Sequence, residues 1–219
     1  MATRDDILEA AASVMRERGY AHATTKEIAR AAGFSEALLY KHFRDKTEIF
    51  VAVLTERLPG LSVLQALPDR VGRGAVRATL VEVAQAALGF YAATFPIAVS
   101  VFSSRALLEA HRRRLAELGA GGPGVPRREL AAYLRAEQEQ GRLARAADPD
   151  AGAALLLGAC FQAAMLGAFE GGTDHDGTEN EAAENDAAAK DAAERGVEHQ
   201  ATAERLVDTL LASWLPADV

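Results

Sequence analysis

Apolar residues recur at three-to-four spacing from the first turn of the chain. Ile7, Ala11, Val14, Met15 and Arg18 lie on one helical stripe, and Gly19 follows as a stop. Thr3 with Asp6 has the spacing of a capping box, although the acid is shorter than the motif prefers. Thr24 with Glu27 repeats that spacing ahead of a face made by Ile28, Ala29 and Ala32, and Gly33 ends the segment. Ser35 caps a third short helix through Phe43, and Asp45 with Glu48 caps a fourth carrying Ile49, Phe50, Val53 and Leu54. Pro59-Gly60 breaks or kinks that fourth helix.

Beyond this point the periods lengthen. A helix is predicted over roughly 70–94, a second from Pro96 to about 118, and a third from the breaker AGGPGVP (120–126) to about Gly141. Asp148-Pro149 opens an apolar helix over 149–170, and 201–214 carries Leu206, Val207, Leu210, Leu211 and Trp214 on one stripe. No run alternates β-branched and polar residues, so the fold class is all-α, with about nine helices. The stretch 171–200 is acidic and, apart from Val197, lacks large aliphatics. It cannot bury enough apolar surface to offset ordering, so it is expected to be a mobile insertion with a transiently helical, alanine-rich middle.

Charge changes the picture by its distribution. The chain of 219 residues carries a net −7, yet residues 1–58 hold nine Lys/Arg and nine Asp/Glu, so the acidity sits entirely C-terminal to them. A neutral module still binds nucleic acid when its cations converge on one face. The single cysteine, Cys160, excludes an internal disulfide and fits a reducing, cytoplasmic setting. The N-terminus lacks the apolar core of a signal peptide. Residues 151–169 approach the length of a membrane span, but their Ala/Gly content, acidic flanks and missing basic anchors favour a helix buried inside a protein or dimer.

Two short helices joined by a tight turn, the second capped by serine, are the local geometry of a helix-turn-helix, here TTKEIARAAGFSEALLYKHF at 24–43. Ile28, Ala29, Leu39 and Phe43 are expected inside, with Lys26, Glu36, Leu38, Lys41 and His42 outside. From Ile7 to about Leu58 the chain resembles the DNA-binding domain of the TetR (tetracycline repressor) family. The resemblance rests on AAASVMRERGY, Thr25-x-x-Ile28-Ala29, Ala32-Gly33-Phe34-Ser35, Leu39-Tyr40-x-His42-Phe43 and Lys46. It implies a three-helix head at 1–58 and a helical effector-binding and dimerisation domain at 59–219.

By that resemblance the helix from Ser35 enters the major groove of an operator duplex. Tyr40 and His42 reach phosphates, as do Thr25 and Thr24 through hydroxyl or backbone N–H groups. Lys26 supplies a phosphate or base contact and Lys46 meets the DNA backbone. Glu36, Ala37, Leu38 and Lys41 occupy the base-reading positions; glycine is common where Ala37 stands. The same family implies a homodimer, a near-palindromic operator and a small-molecule effector, apolar or amphipathic. Phe90, Phe95, Phe102, Tyr133, Phe161, Gln162 and Met165 are the candidate effector contacts, and Leu155, Leu156, Leu206, Leu210 and Trp214 the candidate dimer contacts.

Blander readings stand beside these. Aromatic and Met residues at helical spacing also build plain cores, and the basic run His111-Arg112-Arg113-Arg114 also fits a solvated helix face. A membrane-associated or cofactor-carrying helical bundle is the alternative class. No Gly-rich phosphate loop, G-x-S-x-G or H-E-x-x-H occurs, and the five histidines lack metal-ligand spacing, so neither enzyme chemistry, metal nor cofactor is expected.

Overall fold

In a computed structural model of the chain the described residues are 2–57, 61–119, 121–170, 181–212 and 214, without the side chains of 2 and 181–193. The expected break at Pro59-Gly60 and residues 171–180 of the acidic stretch lie outside them. The α-helices are α1 (Ala2–His22), α2 (Thr25–Ala31), α3 (Glu36–His42), α4 (Lys46–Glu56), α5 (Ser62–Gln65), α6 (Leu67–Arg70), α7 (Val76–Ala98), α8 (Arg105–Glu117), α9 (Val125–Glu139), α10 (Pro149–Glu170) and α11 (Glu181–Leu211). Tight 3-10 turns at Val99–Ser103 and Gly122–Gly124 interrupt them, and no strand occurs among the described residues. The chain divides into two compact units, 1–60 with 93–123, and 61–92 with 124–219.

The first unit is larger than the head expected at 1–58, because α8 packs on α4. Its core runs from Ile7, Leu8 and Met15 of α1 through Ile28, Leu39, Ile49 and Phe50 to Ile97 and Leu107. Glu56 lies between two arginines: Arg4 donates to its two oxygens at 2.7 and 2.9 Å, and Arg114 of α8 approaches to 3.6 Å. Hydrogen bonds from Arg4, more than any other influence, hold the Glu56 carboxyl below the usual range. Adding 93–123 also changes the charge balance, giving this unit 13 Lys/Arg against 11 Asp/Glu.

Several expected boundaries move. Helix α1 is already helical at Ala2, so Thr3 lies inside its first turn and does not cap it. Gly19 does interrupt it, with φ 70° and ψ 165°. Pro96 does not open a helix but sits in the last turn of α7. That helix starts at Val76, later than expected, because Gly72 and Gly74 both take positive φ ahead of it.

In the second unit α9 packs along α10, around a core that includes Leu80, Leu88, Leu130, Leu134, Leu156 and Val207. Asp148 caps α10 by accepting the N–H groups of Asp150 and Ala151 at 3.0 and 3.1 Å. One face of α10 is buried through Gly152, Ala153, Leu156, Leu157, Cys160 and Ala164; Leu155, Phe161, Met165, Leu166 and Phe169 of the other are exposed. Gly152 is required there, since a β-carbon would collide with the Trp214 ring. The helices covering Val76–Ser103 and Pro149–Glu170 are long and apolar enough to cross a bilayer by composition alone. Burial raises the Cys160 thiol to about 12, as expected for a packing residue rather than a nucleophile.

Glu137 of α9 is fully buried in this unit. It accepts the Gly72 N–H at 3.1 Å and pairs with Arg142 at 2.9 Å, and Arg142 also donates to the Gly74 carbonyl. The carboxylate thereby fixes the glycine turn before α7 to the end of α9. Arg77 clamps Asp208 of α11 with two bonds of 2.6 and 2.9 Å, which lower the Asp208 pKa. Helix α11 starts at Glu181, twenty residues before the position expected from the Leu/Trp stripe. Alanines at 182, 183, 187–189, 192 and 193 favour helix without needing an apolar face, which is why stripe-based reading missed this part.

Candidate nucleic-acid interface

The surface around α2 and α3 is positioned by its caps. Thr24 Oγ1 accepts the Glu27 N–H at 3.2 Å, and the Glu27 carboxylate accepts the Thr24 N–H at 3.1 Å, a reciprocal capping box. Hydrogen bonds from Thr24 are the main cause of the lowered Glu27 pKa, and Arg18 adds an ion pair at 2.7 Å. At the other end, Gly33 adopts φ 74°, and the Phe34 N–H closes on the Ala29 carbonyl at 2.8 Å. Ser35 Oγ then accepts the Leu38 N–H at 3.3 Å to start α3. Asp45 does the same for Glu48 at 2.8 Å, opening α4.

Each turn of α3 divides its residues sharply. Leu39 is fully buried and Phe43 nearly so, with Ile28 and Ala29 beneath them. Tyr40 is 49% exposed, and Ala37, Lys41 and His42 are exposed beside it; Glu36 and Leu38 are half-buried. Lys26 is exposed on α2. The Thr25 hydroxyl donates to Glu36 Oε1 at 2.6 Å and lies 3.3 Å from the Tyr40 hydroxyl. Thr25, Glu36 and Tyr40 are thus linked across the two helices, Lys26 lines a cleft with Glu36, and Ala37, Leu38, Lys41 and His42 lie along the same short helix α3. Thr24 is adjacent, but its hydroxyl is committed to Glu27.

Lys46 departs from a freely extended cation. Its ammonium donates to the Ala21 carbonyl at 3.4 Å and lies 4.3 Å from the centre of the Tyr20 ring. Desolvation there brings its pKa below the ordinary lysine value. Arg30 is a cation that helical periodicity alone did not single out. It shares a cleft of about 640 Å³ with Lys26, Phe34 and Glu36, and its position one turn after Lys26 was the available signal.

The other candidate residues separate. Phe95 and Phe102 belong to the first unit, whereas Phe90, Tyr133, Phe161, Gln162 and Met165 belong to the second. Phe102 is 76% exposed and Tyr133 buried. Within the second unit Tyr91 packs edge-on against Phe90 and Phe161, at 5.2 and 5.5 Å between ring centres. Among the dimer candidates Leu156 is a core residue: one position along α10 turns a side chain by about 100°, so Leu155 is exposed while Leu156 faces its own unit. Leu206, Leu210 and Trp214 are partly buried against that same core.

Residues 7–53 match the model of "Bacterial regulatory proteins, tetR family". Over 66 residues the chain is 44% identical to the HTH-type transcriptional activator FasR of Mycolicibacterium smegmatis, which is 29% of this chain and 30% of that protein. It is also 44% identical over 52 residues to the HTH-type transcriptional repressor BepR of Brucella suis, 24% of this chain and 25% of that protein. The chain therefore matches less than a third of the length of either relative. A TetR-family regulator structure from Mesorhizobium loti aligns over 98% of both chains with a TM-score of 0.68 and 18% identity. FadR of Bacillus subtilis, in complex with stearoyl-CoA, aligns over 95% of this chain and 97% of its own with a TM-score of 0.62 and 14% identity. At these identities the structural matches establish the fold. The all-α fold seen in those structures extends along this chain, and the family-model match is confined to residues 7–53.

Proposed function

We propose that this chain, whose head belongs to the tetR family of bacterial regulatory proteins, is a cytoplasmic, homodimeric transcription regulator. It binds a near-palindromic operator and represses until a small molecule releases it. The observation that carries the reading is the division of α3, with Tyr40, Lys41 and His42 exposed while Leu39 and Phe43 anchor the helix from beneath. In this reading Tyr40, His42, Thr25 and Lys46 hold phosphates, with Thr24 at the edge, and Lys26 and Arg30 extend the cationic border. Ala37, Leu38 and Lys41 face the bases, where lysine reads guanine and a leucine methyl meets the thymine methyl.

The exposed apolar face of α10, centred on Leu155, Phe161, Met165 and Phe169, supports pairing with a second copy through this helix. Twofold symmetry then presents two copies of α3 about 34 Å apart, or a multiple of that spacing. The aromatic group around Phe90, Tyr91 and Phe161 supports an apolar or amphipathic effector, and FadR of similar fold holds stearoyl-CoA. An effector that prefers a non-DNA-competent state lowers operator affinity by linkage.

The test is a salt titration of duplex binding by three variants. Lys46→Ala is expected to flatten the slope of log K against log salt by about one unit, the loss of one phosphate contact. Tyr40→Phe should weaken all duplexes by a similar factor. Lys41→Ala should change which duplexes are preferred, by about 1–3 kcal/mol at one base pair. Unaltered binding and preference in all three contradicts the docking.

A further inference from the structure

The Thr25–Glu36–Tyr40 group contains a conflict with its proposed task. The Thr25 hydroxyl has one proton, and it goes to the Glu36 carboxylate at 2.6 Å, a short charge-assisted bond. The Tyr40 hydroxyl, 3.3 Å from the same Thr25 oxygen, is then the donor of the second contact. No ion pair to Glu36 occurs among the described residues, although the carboxylate shares a cleft with Lys26 and Arg30. A negatively charged side chain thus holds the hydroxyl that a phosphate requires.

We propose that Glu36 is an internal competitor of the operator phosphate, released on docking to read a base. The inference rests on the DNA-binding reading above. The hydroxyl proton serves the carboxylate or a phosphate, not both. A phosphate arriving at Thr25 also brings a second negative charge beside Glu36, so docking breaks the 2.6 Å bond and turns the carboxylate outward. Glu36 is the first residue of α3, so its freed side chain is directed towards base edges wherever this helix lies in the major groove. The donors there are cytosine N4 and adenine N6, and a carboxylate pairs with cytosine; guanine N7 and O6 and thymine O4 offer only acceptors. A half-site with cytosine at that position compensates for the broken Thr25 bond, and one without it does not. The same residue therefore weakens indiscriminate binding and sharpens one position of the operator.

The experiment measures fluorescence-anisotropy affinities of the full chain for a mixed-sequence duplex and for duplexes varied at the contacted position. The variants are Glu36→Ala, Glu36→Gln, Thr25→Val and Thr25→Val with Glu36→Ala, each checked for its wild-type melting curve. Glu36→Ala is expected to raise mixed-sequence affinity about fivefold by removing charge repulsion and to erase the cytosine preference. Glu36→Gln, which keeps the side chain's shape, is expected to move that preference to adenine. Thr25→Val should cost about threefold more affinity in the Glu36→Ala background than in the wild type, since only there does the hydroxyl bind phosphate without competition. Equal costs in the two backgrounds, or mixed-sequence affinity unchanged by both Glu36 variants, overturns the competition while leaving DNA binding intact. Failure of the wild type to bind any duplex overturns the DNA-binding reading itself, and the inference with it.

Discussion

Replacing Arg142 by alanine is expected to destabilise the second unit by about 3–5 kcal/mol, because it strands a buried carboxylate without its counter-charge. Glu137 is fully buried, and its compensation comes from Arg142 and one backbone N–H. The guanidinium also holds the Gly74 carbonyl, so its loss frees the turn that sets the start of α7. Urea unfolding should show a lower midpoint with an unchanged slope. Replacing Glu137 by leucine and Arg142 by methionine together is expected to recover much of the loss, since an apolar pair leaves no stranded charge. A single Arg142→Ala variant within about 0.5 kcal/mol of the wild type would contradict this account of the buried pair.

Phe43→Ala is expected to cost the first unit about 3–5 kcal/mol, by lost burial and by the cavity left under α3. The ring is 2% exposed, and the Arg4 guanidinium lies 5.3 Å from its centre, so removing it loosens α3 and the start of α1 together. DNA binding should fall with the folded fraction of the head. Tyr40→Ala provides the contrast: its half-exposed ring supplies little core, so the melting temperature should stay near that of the wild type while duplex affinity drops. If both variants melt like the wild type, Phe43 is not the anchor described. If Tyr40→Ala melts as low as Phe43→Ala, Tyr40 is a core residue and not a surface contact.

What could be read in the chain was local. The pairs Thr24/Glu27 and Asp45/Glu48 and the cap Ser35 announce themselves within a few residues, because capping is a bond between near neighbours. The inward positions Ile28, Leu39 and Phe43 follow from helical period for the same reason. Tertiary partnership was less accessible. Nothing in α8 says that it belongs with the head, yet its packing on α4 and the Arg114–Glu56 contact place it there. The aromatic candidates are split because 93–123 belongs to the first unit, whereas 61–92 and 124–219 belong to the second. Pro96 reads as an opener by preference, but it sits in the last turn of α7, where its missing N–H forfeits one of the final bonds of a helix that gives way to a 3-10 turn at Val99. The distinction between Leu155 and Leu156 depends on about 100° of helical phase, which an all-apolar helix does not encode.

The hydrogen bond from Thr25 to Glu36 was the least legible feature. Eleven positions separate the two residues, and their meeting depends on the turn geometry set by Gly33 and the Ser35 cap. Sequence suggests a DNA contact for each residue separately; only the fold brings the two side chains within 2.6 Å of each other.

The central claim is that α3 carries a DNA-reading surface presented twice by a symmetric pair of chains. The most direct measurement is selection of bound duplexes from a random library by the purified full chain, followed by sequencing. The account predicts enrichment of two inverted half-sites about 34 Å apart, or a multiple of it, with affinity falling steeply as salt rises. Recovery of a library indistinguishable from its input, with no salt-sensitive binding at any protein concentration tested, would contradict it.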